Sequence, residues 1–362
     1  MKYFPELKYI FVLLVGFKCI SACGILIESN NSHNSPNNDG SLLCLNKNYD
    51  NILLYNNIKY LKTEKKNNKS TVIDNNKPLR ITLCAIGRDE NLYIREWVEW
   101  YKNLGVNKIV LYDNNKVDGE KFEDVINDYI INGFVKVINR RGIVKTNKEI
   151  GPKEIKEKKS VQAESYHDCY YNNYKNNDWI FFFDIDEFLS IESKYNDIYE
   201  FLNDFNKYDG IRVQWRVYGD NGYLHYENKT VNERFGSRKN SQYSTRVKTI
   251  IKCKEYKKDL IINASGLLNR ELTFVNLKKK RVKNYLNDKE AYFDLPVYLN
   301  HFITKSTEEY IKRKYKKPDA SFGLNKEINF SINFIKGQYF KYNNRTKEKE
   351  EMFNSLINEK VN

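Results

Sequence analysis

Two carboxylates, Asp184 and Asp186, directly follow the apolar run Trp179 to Phe183. Such a run predicts a buried strand, and open α/β sheets bind ligands where their strands end. If the chain stays extended, alternation places both carboxylates on one side and Ile185 on the other. Converging carboxylates repel each other unless a cation or a proton lies between them. The pattern therefore predicts a Mn²⁺ or Mg²⁺ ion that links the pair to a diphosphate.

The same local pattern permits a second chemistry. Phosphatases of the haloacid-dehalogenase type also place D-x-D after an apolar strand and use the first Asp, here Asp184, as nucleophile. Gly219-Asp220 would imitate their downstream acidic motif. That fold opens with its nucleophile strand, whereas several predicted elements come first here. Glu187 also stands where a Thr or Val usually follows the second Asp.

Alternating strands and helices are predicted before the carboxylate pair. Short apolar runs indicate the strands, and apolar residues at helical spacing indicate the helices between them. In chain order they are a strand over Arg80 to Ile86, a helix over Leu92 to Leu104, a strand over Lys108 to Tyr112, a helix over Phe122 to Ile130, a strand over Phe134 to Ile138 and a helix from Ser160. This alternation predicts an α/β domain with parallel strands and right-handed crossovers.

Composition and charge narrow the class of protein. With 41% hydrophobic residues, the chain can bury a sizeable core, which indicates a globular protein. The formal net charge is +14, but the lysines are scattered and the densest basic run, Lys278 to Arg281, is short. We interpret them mainly as a solvated surface, with an anion-attracting face as the alternative. No zinc-finger spacing or RNP-like aromatic run occurs, so we predict no nucleic-acid partner.

The six cysteines contain no C-x-x-C pair, which argues against a structural zinc site. Cys84 falls in a strand pattern and Cys169 in a helical pattern, where a buried free thiol is the simplest interpretation. A single disulfide stays open if the chain is secreted, but the sequence does not assign its partners.

The N-terminal residues predict a cellular location. The apolar stretch Tyr9 to Ile27 follows Lys2 and Lys8, and its length suits a membrane anchor at residues 1–27. Lys18 in its middle would cost about 2.5–3.5 kcal/mol on insertion, so a cleaved signal peptide or a bacterial lipoprotein leader stays open. We expect a secretory route, as a type II Golgi membrane protein if the source is eukaryotic. The alternatives are a secreted protein, or a membrane-associated lipoprotein if the source is bacterial.

Residues 28–78 are rich in Asn and Ser and predict a low-complexity stem or linker. N-glycosylation sequons occur here and further along the chain, at Asn30, Asn68, Asn228, Asn263, Asn329 and Asn344.

Several stretches together resemble glycosyltransferase family 92 and related family 2-like enzymes with a D-x-D-x-F motif. The resemblance covers roughly Leu79 to Ala320, and its parts occur in the same order. They are Arg88 to Asn91, Arg95 to Tyr101, Leu104 to Val106, Leu111 to Asn115, Gln162 to Cys169, Asp184 to Phe188, Trp215 to Gly222, Glu233 to Phe235, Lys248 to Ile251 and Asn300 to Tyr310.

The resemblance implies a catalytic domain over residues 79–320 with a GT-A type fold. Such a fold has a mixed, mostly parallel central sheet flanked by helices. The resemblance also implies a nucleotide-sugar donor, a divalent metal and inversion at the anomeric carbon. Residues 321–362 then form a C-terminal extension, which we expect to pack around the active site or to trail away.

Matched position by position, the resemblance implies contacts with the donor. Arg88 and Glu90 would border the nucleotide, and Asp113 would contact uridine or its ribose. A turn-forming role for Asp113 stays open. Gln162 would meet the donor or lie on an ordinary helix surface, and Asp184 would contact both donor and metal.

The implied metal ligands are Asp184, Asp186 and His301, with a satisfied buried histidine as the alternative for His301. An inverting transfer also needs a general base for the acceptor hydroxyl. Asp220 is our first candidate and Glu233 the second. Trp215 would face the acceptor sugar or pack in the core. Arg234 and Arg246 would pair with phosphate or with nearby carboxylates.

Three functions remain open at this stage. The first is a metal-dependent glycosyltransferase that moves a hexose, with galactose as first candidate, from a UDP-sugar to a glycan. The second is a phosphohydrolase with Asp184 as nucleophile, and the third is a catalytically silent sugar-binding relative.

Overall fold

The computed structural model describes residues 79–143, 160–256, 261–262, 267–268, 272–282, 287–316 and 332–358. The predicted N-terminal anchor and stem lie outside these residues, as do 321–331 and 359–362 of the predicted C-terminal extension. Within the described residues, no helix is long and apolar enough to cross a membrane.

One mixed sheet of nine strands forms the centre of the described part. Its strands lie in the order β3-β2-β1-β4-β7-β6-β11-β5, with β10 beside β6. A separate pair is formed by β8 and β9. The strands are β1 Ile81–Gly87, β2 Lys108–Asp113, β3 Val135–Asn139, β4 Trp179–Phe182, β5 Glu187–Ile191, β6 Gly210–Tyr218, β7 Ser241–Lys252, β8 Ile261–Ile262, β9 Leu267–Leu268, β10 Phe274–Asn276 and β11 Val297–His301.

Helices flank this sheet. They are α1 Ile94–Leu104, α2 Glu123–Ile131, α3 Val161–Asn173, α4 Ile198–Asp204, α5 Val231–Phe235, α6 Thr307–Lys316, α7 Ile332–Phe340 and α8 Lys347–Asn358. The helix α1 shows why they pack, because it buries Ile94, Trp97, Val98 and Tyr101 at the spacing of one helical face. It ends at Gly105, whose φ of 104° few other residues adopt.

Strand direction brings many loops to one edge of the sheet. The strands β1, β2, β3 and β4 are parallel, and β6 and β11 are parallel to each other. Because β7 runs antiparallel to both β4 and β6, these two point the same way. The residues that follow β1, β2, β4, β6 and β11 therefore lie along one edge, which we call the catalytic edge. The predicted α/β fold class, with a mixed and mostly parallel central sheet flanked by helices, is confirmed.

The expected geometry of the carboxylate pair was wrong. The strand β4 ends at Phe182, and the chain then turns, with Glu187 N donating to Asp184 O at 3.1 Å. Alternation along an extended chain therefore does not apply to Asp184 and Asp186. Ile185 packs at the end of β1, where a Cβ on Gly87 would lie 2.2 Å from Ile185 Cδ1. The glycine at position 87 leaves room for the end of the Ile185 side chain.

The interpretation of Cys84 and Cys169 as free thiols was also wrong. They form a disulfide that joins β1 to α3, with Cα atoms 6.3 Å apart. Both side chains are fully buried between the sheet and the helix. The sequence could not assign the pair because 85 residues separate the two cysteines.

The C-terminal helices pack on α6. A small apolar cluster joins α6, α7 and α8 through Tyr310, Ile311, Ile335, Tyr339 and Phe353. All five side chains are buried. The described part of the C-terminal extension therefore shares a core with a helix of the predicted catalytic domain.

Candidate active site

Asp184 lies on the catalytic edge directly after β4 and is held by three donors. Gln162 Nε2 and Tyr166 OH, both on α3, donate to Asp184 Oδ1 at 2.7 and 3.1 Å. Lys248 Nζ, on β7, donates to Asp184 Oδ2 at 2.7 Å. Both carboxylate oxygens are thus engaged by the protein, although about a third of the side chain is exposed, 32%.

Asp186 faces a different set of groups. It is 3% exposed, and its Oδ1 lies 3.5 Å from His301 Nε2 at the end of β11. Arg313 NH1, on α6, donates to Asp186 Oδ2 at 2.8 Å. Burial alone would raise the pKa of Asp186, but Arg313 and His301 hold it well below its usual range. Asp186 is therefore an ionised, buried carboxylate.

Glu187 completes a group of three neighbouring carboxylates. Its Oε2 accepts the Asp184 backbone N–H at 2.9 Å and lies 3.5 Å from Lys248 Nζ. Complete burial raises the pKa of Glu187 well above its usual range; Lys248 opposes this rise, while the Asp184 and Asp186 charges add to it. The carboxylates of Asp184 and Asp186 place a negative potential at this point of the edge, which Lys248 and Arg313 partly neutralise.

The donor atoms at Asp186 and His301 fit a divalent cation. A carboxylate oxygen and an imidazole nitrogen are both ligands that Mn²⁺ accepts. Their separation of 3.5 Å is close to the spacing of about 3 Å between adjacent ligands of one octahedral ion. No group of three His, Cys, Asp or Glu side chains in the described ranges is arranged to hold a metal. The fit is therefore to two protein ligands, with further ligands to come from a substrate or water.

The predicted nucleotide contacts lie further along the same edge. Arg88 follows β1, and its Nε and NH2 donate to the backbone and side-chain oxygens of Asn114. Glu90 is buried, with its Oε2 3.6 Å from Lys305 Nζ. Asp113 ends β2, accepts the Asn115 N–H at 2.9 Å and pairs with Arg141 at 2.8 Å. The structure thus brings Arg88, Glu90 and Asp113 to the edge, where Asp113 also forms the turn that was its alternative role.

Asp220 follows β6 on the same edge but is enclosed by the C-terminal helices. Its Oδ2 accepts Lys349 Nζ at 2.5 Å and also the Tyr339 hydroxyl, and its Oδ1 accepts the Gly222 N–H. Asp220 and Lys349 are each 4% exposed. These contacts favour an anchoring role for Asp220, so its assignment as general base stays a prediction.

Glu233 lies in the first turn of α5. Its carboxylate accepts the Thr230 N–H at 2.9 Å, while Thr230 caps Glu233 N, so the two residues form a capping box. Arg234 beside it forms two hydrogen bonds with Glu309, at 2.6 and 3.1 Å, and its side chain is fully buried. The sequence predicted either a phosphate or a nearby carboxylate as the partner of Arg234, and in the structure Arg234 pairs with a carboxylate.

Trp215 contacts the candidate metal ligand. Its ring centroid lies 4.3 Å from that of His301 in an edge-to-face arrangement. Within the described part of the chain, neither Trp215 Nε1 nor His301 Nδ1 has a hydrogen-bond partner. Trp215 thus lies next to His301, and it also packs, partly buried, against the main apolar core.

A cleft of 450 Å³ opens beside Asp220. Amide and hydroxyl side chains dominate its lining, and two acidic and two basic groups balance each other. The polar lining residues include Asn221, Asn240, Ser241, Gln242, Asn343, Asn344 and Thr346. Such a lining suits an uncharged ligand rich in hydroxyl groups.

Sequence reasoning missed the roles of Lys248 and Arg313. A lysine inside the apolar strand segment Val247 to Ile251 was a usable signal, because a buried ammonium needs a carboxylate partner. Arg313 offered no such signal, since it is one of many basic residues on α6.

The sequence of the chain matches a known protein family. The sequence profile of glycosyltransferase family 92 matches residues 77–359. No curated protein sequence matches the chain. Among solved structures, the mannosyltransferase PcManGT from Pyrobaculum calidifontis, in complex with GDP-Man and Mn²⁺, aligns at 10% identity over 46% of this chain and 43% of its own, with a TM-score of 0.25. TarS from S. aureus aligns at 11% identity over 48% of this chain and 28% of its own, with a TM-score of 0.29. The chain thus spans less than half the length of either structure.

Proposed function

The chain belongs to glycosyltransferase family 92, and we propose that it transfers a hexose from a UDP-sugar to a glycan acceptor with a divalent cation, Mn²⁺ or Mg²⁺. Galactose is the first candidate for the sugar, and we propose inversion at its anomeric carbon. The observation that carries the proposal is the pairing of Asp186 with His301 at 3.5 Å on the catalytic edge.

Asp186 and His301 would hold the ion. When bound, the ion would offset negative charge that develops on the departing diphosphate. Asp184 would orient the site rather than supply a free ligand, because Gln162, Tyr166 and Lys248 occupy its oxygens. The same contacts leave Asp184 poorly placed as a nucleophile, and the family assignment replaces the phosphohydrolase hypothesis.

The nucleotide would lie between the ends of β1 and β2, along Arg88, Glu90 and Asp113. This placement follows the rule that open α/β sheets bind ligands beyond the carboxyl ends of their strands.

We place the glycan acceptor in the cleft beside Asp220. Its lining by amides and hydroxyls fits sugar hydroxyl groups. Gln242→Ala should then lower transfer to a glycan acceptor and leave hydrolysis of the donor unchanged. Equal loss of both reactions would contradict this placement.

The central test uses the purified full-length chain. UDP- and GDP-sugars are screened for hydrolysis with and without Mn²⁺, and Mn²⁺ binding is measured separately by electron paramagnetic resonance. We expect hydrolysis of a UDP-hexose that requires Mn²⁺. Asp186→Asn and His301→Ala should each lose both the hydrolysis and the Mn²⁺ binding.

Asp294→Asn is the matched control, because Asp294 is an exposed aspartate that precedes β11 and so lies away from the catalytic edge. It should behave as the wild type. If no nucleotide sugar is bound or hydrolysed, or if Asp186→Asn retains Mn²⁺-dependent hydrolysis, the proposal fails.

We further propose that the chain acts in the secretory pathway, as a type II Golgi membrane protein in a eukaryotic cell. The disulfide between Cys84 and Cys169 supports this proposal, because such bonds persist in oxidising compartments. Asn228, in one of the sequons, is exposed. Treatment of the cellular protein with an N-glycosidase should lower its apparent mass, and Asn228→Gln should reduce that shift. An unmodified protein with reduced cysteines would contradict the proposal.

A further inference from the structure

Arg313 stands apart from the other cations of the site. It extends from α6 to Asp186, with 2.8 Å between Arg313 NH1 and Asp186 Oδ2. Its side chain is 33% exposed, whereas the side chain of Lys248 is 2% exposed. Arg313 therefore lies at the rim of the site, where it contacts both the buried carboxylate and solvent.

The backbone that carries Arg313 is fixed. Tyr310 and Ile311, in the preceding turn of α6, are buried in the cluster with α7 and α8. A change in the position of the guanidinium would therefore come from rotation of its long side chain. Lys248 has no such freedom, because it is enclosed between Asp184 and Glu187.

The Arg313–Asp186 pair should depend on whether a cation is bound at Asp186. Without an ion, Arg313 neutralises Asp186. A divalent cation on Asp186 would stand within a few ångströms of the guanidinium, and like charges repel strongly in a partly buried site. Arg313 would then be displaced toward the rim. A nucleoside diphosphate bound to the same ion would present its phosphate oxygens there.

We propose that Arg313 exchanges its partner on substrate binding, from Asp186 to the diphosphate of the donor. The inference rests on the proposed function, and it adds a specific ligand for the leaving group. A guanidinium suits this task because its parallel N–H groups match two phosphate oxygens. In the absence of donor, the same side chain keeps Asp186 paired.

The test compares UDP with UMP, which share the uridine and differ in the second phosphate. Dissociation constants of both are measured by calorimetry with Mn²⁺ for the wild type, Arg313→Gln and Arg313→Lys. Loss of one charge-assisted phosphate contact should weaken UDP binding to Arg313→Gln by about tenfold or more. UMP binding should stay within about twofold, because UMP lacks the second phosphate. The UDP affinity of Arg313→Lys should fall between those of the wild type and Arg313→Gln, since lysine keeps the positive charge but lacks the parallel N–H groups.

Lys312→Gln is the control on the same helix, because Lys312 is exposed and pairs with Glu308. It should bind both nucleotides as the wild type does. Near-ultraviolet circular dichroism and thermal unfolding check that each variant is folded.

Three outcomes would overturn the inference. If Arg313 only neutralises Asp186, Arg313→Gln would bind Mn²⁺ more tightly and leave the ratio of UDP to UMP affinity unchanged. A wild type that binds UDP while its Arg313→Gln variant binds UDP equally well would refute the inference and leave the proposed function intact. A wild type that binds neither UDP nor GDP would refute both.

Discussion

Lys248 Nζ lies 2.7 Å from Asp184 Oδ2. This contact depends on sheet topology, because β7 pairs antiparallel with β4 and places Thr249 beside Phe182. Lys248 therefore lies next to the turn that follows β4. Lys248 balances the charge of Asp184, the first aspartate of the D-x-D motif. Arg313 pairs with the second, Asp186, and His301 lies beside it.

Replacement of Lys248 by Met should destabilise the fold. The change removes the ammonium that lies 2.7 Å from Asp184 Oδ2 and leaves that carboxylate without its cation. Removal of one partner of a buried ion pair typically costs about 3–5 kcal/mol. We expect a loss near the lower end, because Asp184 is partly exposed. Urea-induced unfolding measures the change in the free energy of unfolding.

Lys252→Met is the control for this prediction. Lys252 lies on the same strand, and its amine donates to the Asn206 carbonyl at the surface. Its free energy of unfolding should change by less than about 0.5 kcal/mol. Addition of Asp184→Asn to Lys248→Met should recover part of the loss, because it removes the carboxylate left unpaired. Unchanged stability of Lys248→Met would show that the carboxylates need no buried cation.

A second prediction concerns pH and the Arg234–Glu309 pair. Burial alone would raise the pKa of Glu309, but hydrogen bonds from Arg234, Ser306 and Tyr93 lower it below its usual 4.5. Glu309 therefore binds a proton more readily in the unfolded chain than in the folded one. The stabilisation that ionised Glu309 gives is present above pH 4.5 and is lost as pH falls through the lower pKa of the folded state.

Glu309→Gln should therefore be less stable than the wild type at neutral pH, by about 3 kcal/mol, because Arg234 is left buried without a carboxylate. The difference should shrink as the solution is acidified below pH 4.5. Urea unfolding at several pH values measures it. Glu351→Gln, at an exposed carboxylate, should follow the wild type at every pH. A constant difference between Glu309→Gln and the wild type would contradict the assignment.

Much of the first half of the sheet could be predicted from local patterns. The apolar runs of β1, β2 and β4 and the helical spacing of α1 are signals within single elements, and each observed element agrees with its prediction to within two residues at the compared ends. Ser160 begins α3 because its side chain caps Ala163 N, a local contact that the sequence can reveal.

Contacts between distant segments could not be predicted in the same way. The end of the Ile185 side chain occupies space left by Gly87, and the partners of Asp186 come from β11 and α6. The helices α7 and α8 were missed because no clear apolar period marks residues 332–358. They form because their few apolar residues meet Tyr310 and Ile311 on α6.

A third prediction separates the two roles of Asp220. As an anchor, Asp220→Asn should lower the free energy of unfolding by about 3 kcal/mol, because Lys349 loses its buried partner. Lys349→Met should cause a similar loss, and the double variant should lose less than the sum of the two. Transfer by the folded Asp220→Asn protein should persist. A general base would give the opposite result, with normal stability and a loss of about a hundredfold or more in kcat.

The disulfide between Cys84 and Cys169 supports the last prediction. It closes a loop across 85 residues and joins β1 to α3, the helix that carries Gln162 and Tyr166. Replacement of both cysteines by Ser should reduce stability by about 2–5 kcal/mol and loosen the contacts with Asp184. Urea unfolding measures the stability, and reductant should destabilise the wild type and Cys253→Ser but not the double variant. Cys253→Ser is the control, since Cys253 is a free thiol. If the double variant and the wild type unfold alike, and reductant affects neither, the bond does not stabilise the fold.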